Sequence, residues 1–225
     1  MTMNLIPYKD TINDLNPMEQ RLYFNSGHWR DYDYKNEIVG NTVNYISENY
    51  QNGITRQDVI DYFNAENSSL LGGFVMTMIW GHGFSENGKA DNRGPWKVSL
   101  MLSDFEGALA ILENAKRYLV SGNIELAHSS FKNMQRCRVN FFSKYLYFLG
   151  RSMGIKHYPL IFDARVAKSI GYLTSTNPSF FSILDIQPKQ DPTSYSNYVA
   201  EIHEIANQIN VEGEKIEYFL FNGLE

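Results

Sequence analysis

The chain has 225 residues, 43% of them hydrophobic and 14% aromatic, which is enough to bury a sizeable core and unlike any disordered or low-complexity protein. A single cysteine, Cys137, excludes an internal disulfide framework and a cysteine-ligated metal cluster, and points to a reducing compartment, with the cytoplasm as the default. The net charge of −5 argues at face value against a nucleic-acid partner. No apolar stretch is long enough to span a bilayer and MTMNLIPYKD lacks a signal-peptide pattern, so no membrane role is expected.

In chain order, Asn16-Pro17-Met18-Glu19 sets out an N-cap, a first-turn proline and an acidic third position, which predicts a helix start. Thr55 with Asp58 repeats that logic ahead of Val59, Ile60 and Phe63. WGHGFSENGKADNRGPWK, residues 80–97, reads as a long loop, and it lacks the glycine order of a phosphate-binding fingerprint. His82 in it stands without a ligand partner, so no metal site is expected. Ser103 with Glu106 opens a third helix, carrying the stripe Leu109, Ile111, Leu112, Ala115 and Leu119. Tyr158 to Phe162 is short and extended, directed by Pro159. A last stripe, Tyr198, Val199, Ile202, Ile205 and Ile209, lies near the C-terminus. No alternating run makes a convincing strand, so the class is all-α, read as one domain over 1–225. GxSxG, HExxH, CxxC and internal repeats are all missing, and no cofactor is expected.

Charge is uneven along the chain. Between Lys132 and Lys168 stand eight basic residues and one acidic residue, a local +7 that leaves −12 on the rest. Inside that window FFSKYLYFLGRSMGIKHYPLIFDARVA places Lys144 in a helix where seven of the nine residues 141–149 are large and apolar or aromatic. Phe142, Leu146, Leu149 and Met153 form one stripe, and Lys144 shares another face with Tyr147, Phe148 and Arg151. Asp163, 19 residues after the lysine, has the place of an N-cap for a helix spaced by Val166, Ile170 and Leu173. On the residues alone, a snorkelling lysine, a plain cap and a solvated basic face remain open readings.

Lysine in the first turn of an apolar helix, a 19-residue connection and then apolar-Asp-x-Arg-Val together resemble the helix-hairpin-helix DNA glycosylases. The likeness is closest to the 8-oxoguanine DNA glycosylases, in particular small bacterial proteins of that fold, and it takes in MIWGHG at 78–83 and RGPWKV downstream. It is closest over residues 75–175. It implies two helical lobes around a cleft, and a monomer acting on double-stranded DNA that contains a damaged or modified base.

By that resemblance Lys144 is the catalytic lysine and Asp163 the catalytic aspartate of a bifunctional glycosylase and AP lyase that extrudes an oxidised purine. Lys144 attacks the sugar C1′ as a neutral amine, its pKa lowered by its place near a helix N-terminus, by partial burial and by nearby Arg165, and Asp163 stabilises the sugar cation. Phe148, where the family lines its base pocket, and Tyr147 either stack on the extruded base or belong to the core. Arg165 stands where the family has a histidine, and it is a further candidate contact to the substrate. Trp80, Asn87, Asn92 and Arg93 in the long loop form a candidate wedge, unless Trp80 and Trp96 simply pack that loop. Arg136, Arg138, Asn140, Ser143 and Lys168 are assigned to the DNA backbone. The family's two hairpin glycines are here Asn140 and Phe142. A competing reading is a nucleic-acid-binding or interaction module on the same fold with altered catalysis. Another is a lysine-dependent enzyme acting on a small carbonyl compound, which no cofactor motif supports.

Overall fold

The computed structural model describes residues 3–90, 92–175 and 186–222, and the fold among them is all-α. Twelve α-helices follow one another among the described residues: α1 (Lys9–Asn13), α2 (Ser26–Arg30), α3 (Glu37–Asn49), α4 (Arg56–Asn64), α5 (Leu70–Gly81), α6 (Gly94–Met101), α7 (Phe105–Val120), α8 (Ile124–Ser130), α9 (Val139–Ser152), α10 (Ala164–Thr174), α11 (Pro192–Ile209) and α12 (Gly213–Asn222). No helix among the described residues is long and apolar enough to cross a membrane.

Helix entrances follow side-chain chemistry. Thr55 and Asp58 form a reciprocal capping box on α4, Ser69 caps α5, Asn123 caps α8, and Asp191 caps α11 just before Pro192. Two expected starts are displaced. The α7 cap is Asp104, whose side chain accepts from the Gly107 N–H, while the Ser103 hydroxyl donates backward to the Leu100 carbonyl. Asn16 caps nothing with its side chain, and Pro17–Glu19 closes only one 3-10 turn. The chain there turns extended because β1 (Arg21–Leu22) pairs antiparallel with β2 (Ile54–Thr55), Arg21 opposite Thr55, a strand pair too short to show as alternation. The long loop is also shorter than expected, since α5 runs through Gly81 and α6 begins at Gly94.

Two helices form the centre. From Leu71 to Trp80 every residue of α5 is buried, and α9 is buried without interruption from Phe142 to Gly150. They pack on each other, with α3 and α4 beside α5 and with α4, α7 and α8 against α9. A helix enclosed on all sides is apolar all round, so spacing cannot separate a core stripe from a second face. The stripes of α7 and α11 follow expectation: Leu112, Ala115 and Leu119 are buried, as are Val199, Ile202 and Ile205. α12 packs against α10 and α11, which brings the end of the described chain back beside α9 and α10.

Candidate active site: a lysine and an aspartate on one cleft

α9 begins at Val139 with Arg138 at its N-cap, so Lys144 sits in the second turn rather than the first. Its side chain is held along the helix: Nζ donates to the Asn140 carbonyl at 2.6 Å and lies 5.9 Å from the centre of the Phe141 ring. A Cβ on Gly81, the last residue of α5, would stand 3.0 Å from the Lys144 Cδ, so the glycine of WGHG leaves the lysine's stem its room. Lys144 is 8% exposed.

Asp163 is brought to Lys144 by a segment without regular structure. Along residues 158–161 carbonyl groups are claimed by α11: Tyr195 donates its hydroxyl to the Leu160 carbonyl, Tyr198 donates to Ile161, and His203 Nε2 lies 2.8 Å from the Tyr158 carbonyl. The Phe162 N–H donates to the Ser143 hydroxyl at 3.1 Å. Asp163 then divides its carboxylate. Oδ1 accepts from the Arg165 and Val166 N–H groups as the cap of α10, and Oδ2 faces Lys144 Nζ at 3.7 Å.

Beneath this pair lies a charged layer that sequence reasoning missed. Arg56, at the first position of α4, and Glu217 on α12 form a fully buried fork, with distances of 2.6 and 3.3 Å. Arg56 Nε also donates to Gln20 Oε1 at 2.7 Å, and the guanidinium lies over the rings of Trp80, Tyr147 and Tyr218. A signal was present in each case: a cation in a first helical turn opposes the helix dipole, and Glu217 interrupts the apolar run IEYFLF. One turn earlier on α12, Glu214 accepts from the Tyr147 hydroxyl and pairs with Arg151 Nε at 3.0 Å.

Burial pushes the Lys144 pKa down and the Arg56 cation adds to the effect, against the pull of Asp163 and Glu217, so the amine sits below the ordinary lysine value. Arg56 is thus a cation that presses on Lys144, whereas Arg165 is exposed and stacks on Phe221 at 5.0 Å.

The pair opens into a cleft of about 590 Å³ whose wall includes Gln20, Trp80, Phe84, Lys144, Asp163, Arg165, Tyr218 and Phe221. Of the candidate base contacts, Trp80 and Arg165 thus reach the cleft. Tyr147 and Phe148 do not: both are 0% exposed, Tyr147 bonded to Glu214 and Phe148 edge-on to Trp80 at 5.1 Å. Trp80 is itself 3% exposed, part of the wall and not a projecting wedge. Asn92 and Arg93 are exposed but stand outside this cleft, the Asn92 carbonyl lying 2.7 Å from His28 Nε2 and Arg93 preceding α6. Asn87 is also exposed.

A family model described as "Putative 8-oxoguanine DNA glycosylase OGG-like protein" matches residues 15–221. The chain belongs to this OGG-like family. It is a family of DNA glycosylases, enzymes of DNA repair whose substrate is DNA. No curated protein and no solved structure matches the chain. The match reaches well beyond 75–175 and takes in Gln20, Arg56 and Glu217, residues that meet one another only in three dimensions.

The basic segment of this OGG-like chain surrounds the turn between α8 and α9. Arg136 and Arg138 are exposed, and Arg136 takes the left-handed conformation, φ 58°, with its guanidinium over the Trp96 ring at 5.7 Å. Asn140 and Phe142, expected from the resemblance to replace two hairpin glycines, are both inside α9, so the left-handed residue of this turn is Arg136 and not Asn140. Asn140 is half-buried with its carbonyl on Lys144, and Ser143 is wholly buried with its hydroxyl on Phe162, which leaves Ser143 nothing to offer a phosphate. Lys168, half-buried on α10, makes no ion pair with any described residue.

Proposed function

We propose that this OGG-like protein is a bifunctional DNA glycosylase and AP lyase that removes an oxidised purine of the 8-oxoguanine class from duplex DNA, with Lys144 as nucleophile and Asp163 as its electrostatic partner. The observation that carries the reading is the 3.7 Å approach of Lys144 Nζ to Asp163 Oδ2 at the wall of a cleft. α8, the turn at 134–138 and α9 serve as the hairpin, with Arg136 and Arg138 toward the phosphates. The cleft receives the extruded nucleotide, and the partly exposed aromatic rings of Phe84, Tyr218 and Phe221 in its wall favour a base at about 1–3 kcal/mol for each good stacking contact.

The steps follow from the atoms present. The lone pair of neutral Lys144 forms a bond to C1′ while the glycosidic bond breaks, and the base leaves with that bond's electron pair and gains a proton. Asp163 Oδ2 opposes the positive charge that develops on the sugar, and because Oδ1 is anchored to α10 the carboxylate needs no reorganisation. Sugar-ring opening gives an iminium. Loss of a C2′ proton then expels the 3′-phosphate and nicks the strand, and water hydrolyses the imine to free the lysine. Depression of the Lys144 pKa supports this reading, since only the free amine attacks.

Borohydride reduction with duplexes carrying a panel of oxidised bases tests it, because the imine becomes a stable protein–DNA bond. A covalent adduct on an oxidised-purine duplex is expected, and duplex binding with no adduct on any lesion or on an abasic site would favour an interaction module instead.

A further inference from the structure

Gln20 occupies an unusual place in the cleft: it lines the wall with Lys144 and Asp163, yet one end of its amide reaches the buried Arg56. A guanidinium only donates, so the amide atom 2.7 Å from Arg56 Nε has to be the oxygen. Arg56 cannot turn away, because its two terminal nitrogens are committed to Glu217 in a pair that is 1% and 0% exposed. The Gln20 backbone is fixed as well, its carbonyl accepting from the Arg56 N–H at 3.2 Å. The amide is therefore locked with its oxygen inward and its NH₂ on the other side. That NH₂ has no hydrogen-bond partner among the described residues, and it is not among the sealed-in polar atoms of the interior.

We infer that Gln20 is a specificity-determining residue whose NH₂ donates to a carbonyl oxygen on the edge of the extruded base. The inference rests on the base-excision reading above and adds to it a direction of selection. With its oxygen spent on Arg56, Gln20 presents donors alone, so it accepts a ring carbonyl and leaves an exocyclic amine in the same position facing two N–H groups. An ordinary glutamine can rotate its amide to suit either partner; this one cannot.

Gln20→Glu is the informative variant, since it keeps an oxygen for Arg56 and replaces the NH₂ with a second acceptor. Gln20→Met serves as the companion that removes both groups. Each is placed in the Lys144→Gln background, where no turnover occurs, and affinities are measured for duplexes containing 8-oxoguanine, 8-oxoadenine, with an amine at C6, and 8-aminoguanine, with an amine at C8. A tetrahydrofuran abasic analogue normalises each variant's affinity. The expected result is that Gln20→Glu lowers the preference for 8-oxoguanine over at least one amino analogue by roughly 10- to 100-fold, with Gln20→Met falling between. Preferences that stay within about twofold in both variants overturn the assignment, twofold being small beside any base-edge hydrogen bond. Borohydride trapping of the Lys144 protein on a natural abasic site separates the two levels: without an adduct there, the excision reading fails and takes this inference with it, whereas an adduct with unchanged preferences refutes Gln20 alone.

Discussion

The hydroxyl of Ser143 accepts the N–H of Phe162 at 3.1 Å, which ties together the residues immediately before Lys144 and Asp163. One bond across 19 residues thus sets the register of the two groups proposed to do the chemistry. Ser143→Ala removes the acceptor and leaves a half-buried N–H unpaired, a loss of about 1–3 kcal/mol in stability. Single-turnover base release is expected to fall roughly 10- to 100-fold while duplex affinity changes little, because reacting groups displaced by an ångström lose rate rather than binding. A normal rate in the folded variant would show that Asp163 is positioned by α11 and its own cap without help from Ser143.

Two substitutions separate the roles of the Asp163 oxygens. Asp163→Asn retains an oxygen for the Arg165 and Val166 N–H groups but removes the charge facing Lys144, so thermal stability should stay near wild type while base release slows about 100- to 1000-fold. Asp163→Ala should add a stability loss of about 1 kcal/mol from the missing cap. Asp163→Asn that turns over normally would reduce the residue to a cap.

Dependence on pH follows from the free-amine requirement. As pH falls through the Lys144 pKa, ammonium accumulates and attack is lost, so the trapping rate rises with pH and levels off below the usual lysine value of 10.5. Asp163 pulls that pKa upward, so in Asp163→Asn the acid limb should move to lower pH even though the plateau is lower. A limb that moves to higher pH would contradict Lys144 as the titrating group.

Much of this site is local and could be read from the chain. The Thr55 and Asp58 capping box, the Asp163 cap and the oddity of Lys144 in an apolar helix each depend on neighbours within a few residues. What escaped the sequence depends on distance. Arg56 meets Glu217 across 161 positions, and no spacing rule joins them. Tyr147 and Phe148 share a face with Lys144, which suggests a pocket wall, but α9 is enclosed on every side and that face is core. Arg165 stands close to Asp163 in sequence, which suggests a cation near Lys144; it is exposed and stacks on Phe221, and a cation that lowers the lysine's pKa is the distant Arg56.

The basic segment makes a separate expectation about binding. Arg136 and Arg138 are both exposed beside the α8–α9 turn, so Arg136→Glu with Arg138→Glu should weaken duplex binding across sequences. The salt dependence should flatten by about one unit of slope for each phosphate that the variant no longer neutralises. Reversal of Lys9 and Lys35, exposed and outside the segment, should change either quantity much less. An unchanged slope in the arginine variant would move the DNA footprint elsewhere.

The central claim is that Lys144 forms the covalent bond to DNA, and borohydride trapping of Lys144→Gln beside wild type tests it most directly. Glutamine is one atom shorter than lysine but keeps most of the packing of a side chain that is 8% exposed, so the variant should fold and bind duplex normally. The expected result is a trapped adduct on an abasic or oxidised-purine duplex with wild type and none with Lys144→Gln, since only the amine can form the imine. An adduct at wild-type level in Lys144→Gln would place the nucleophile on another residue and contradict the account.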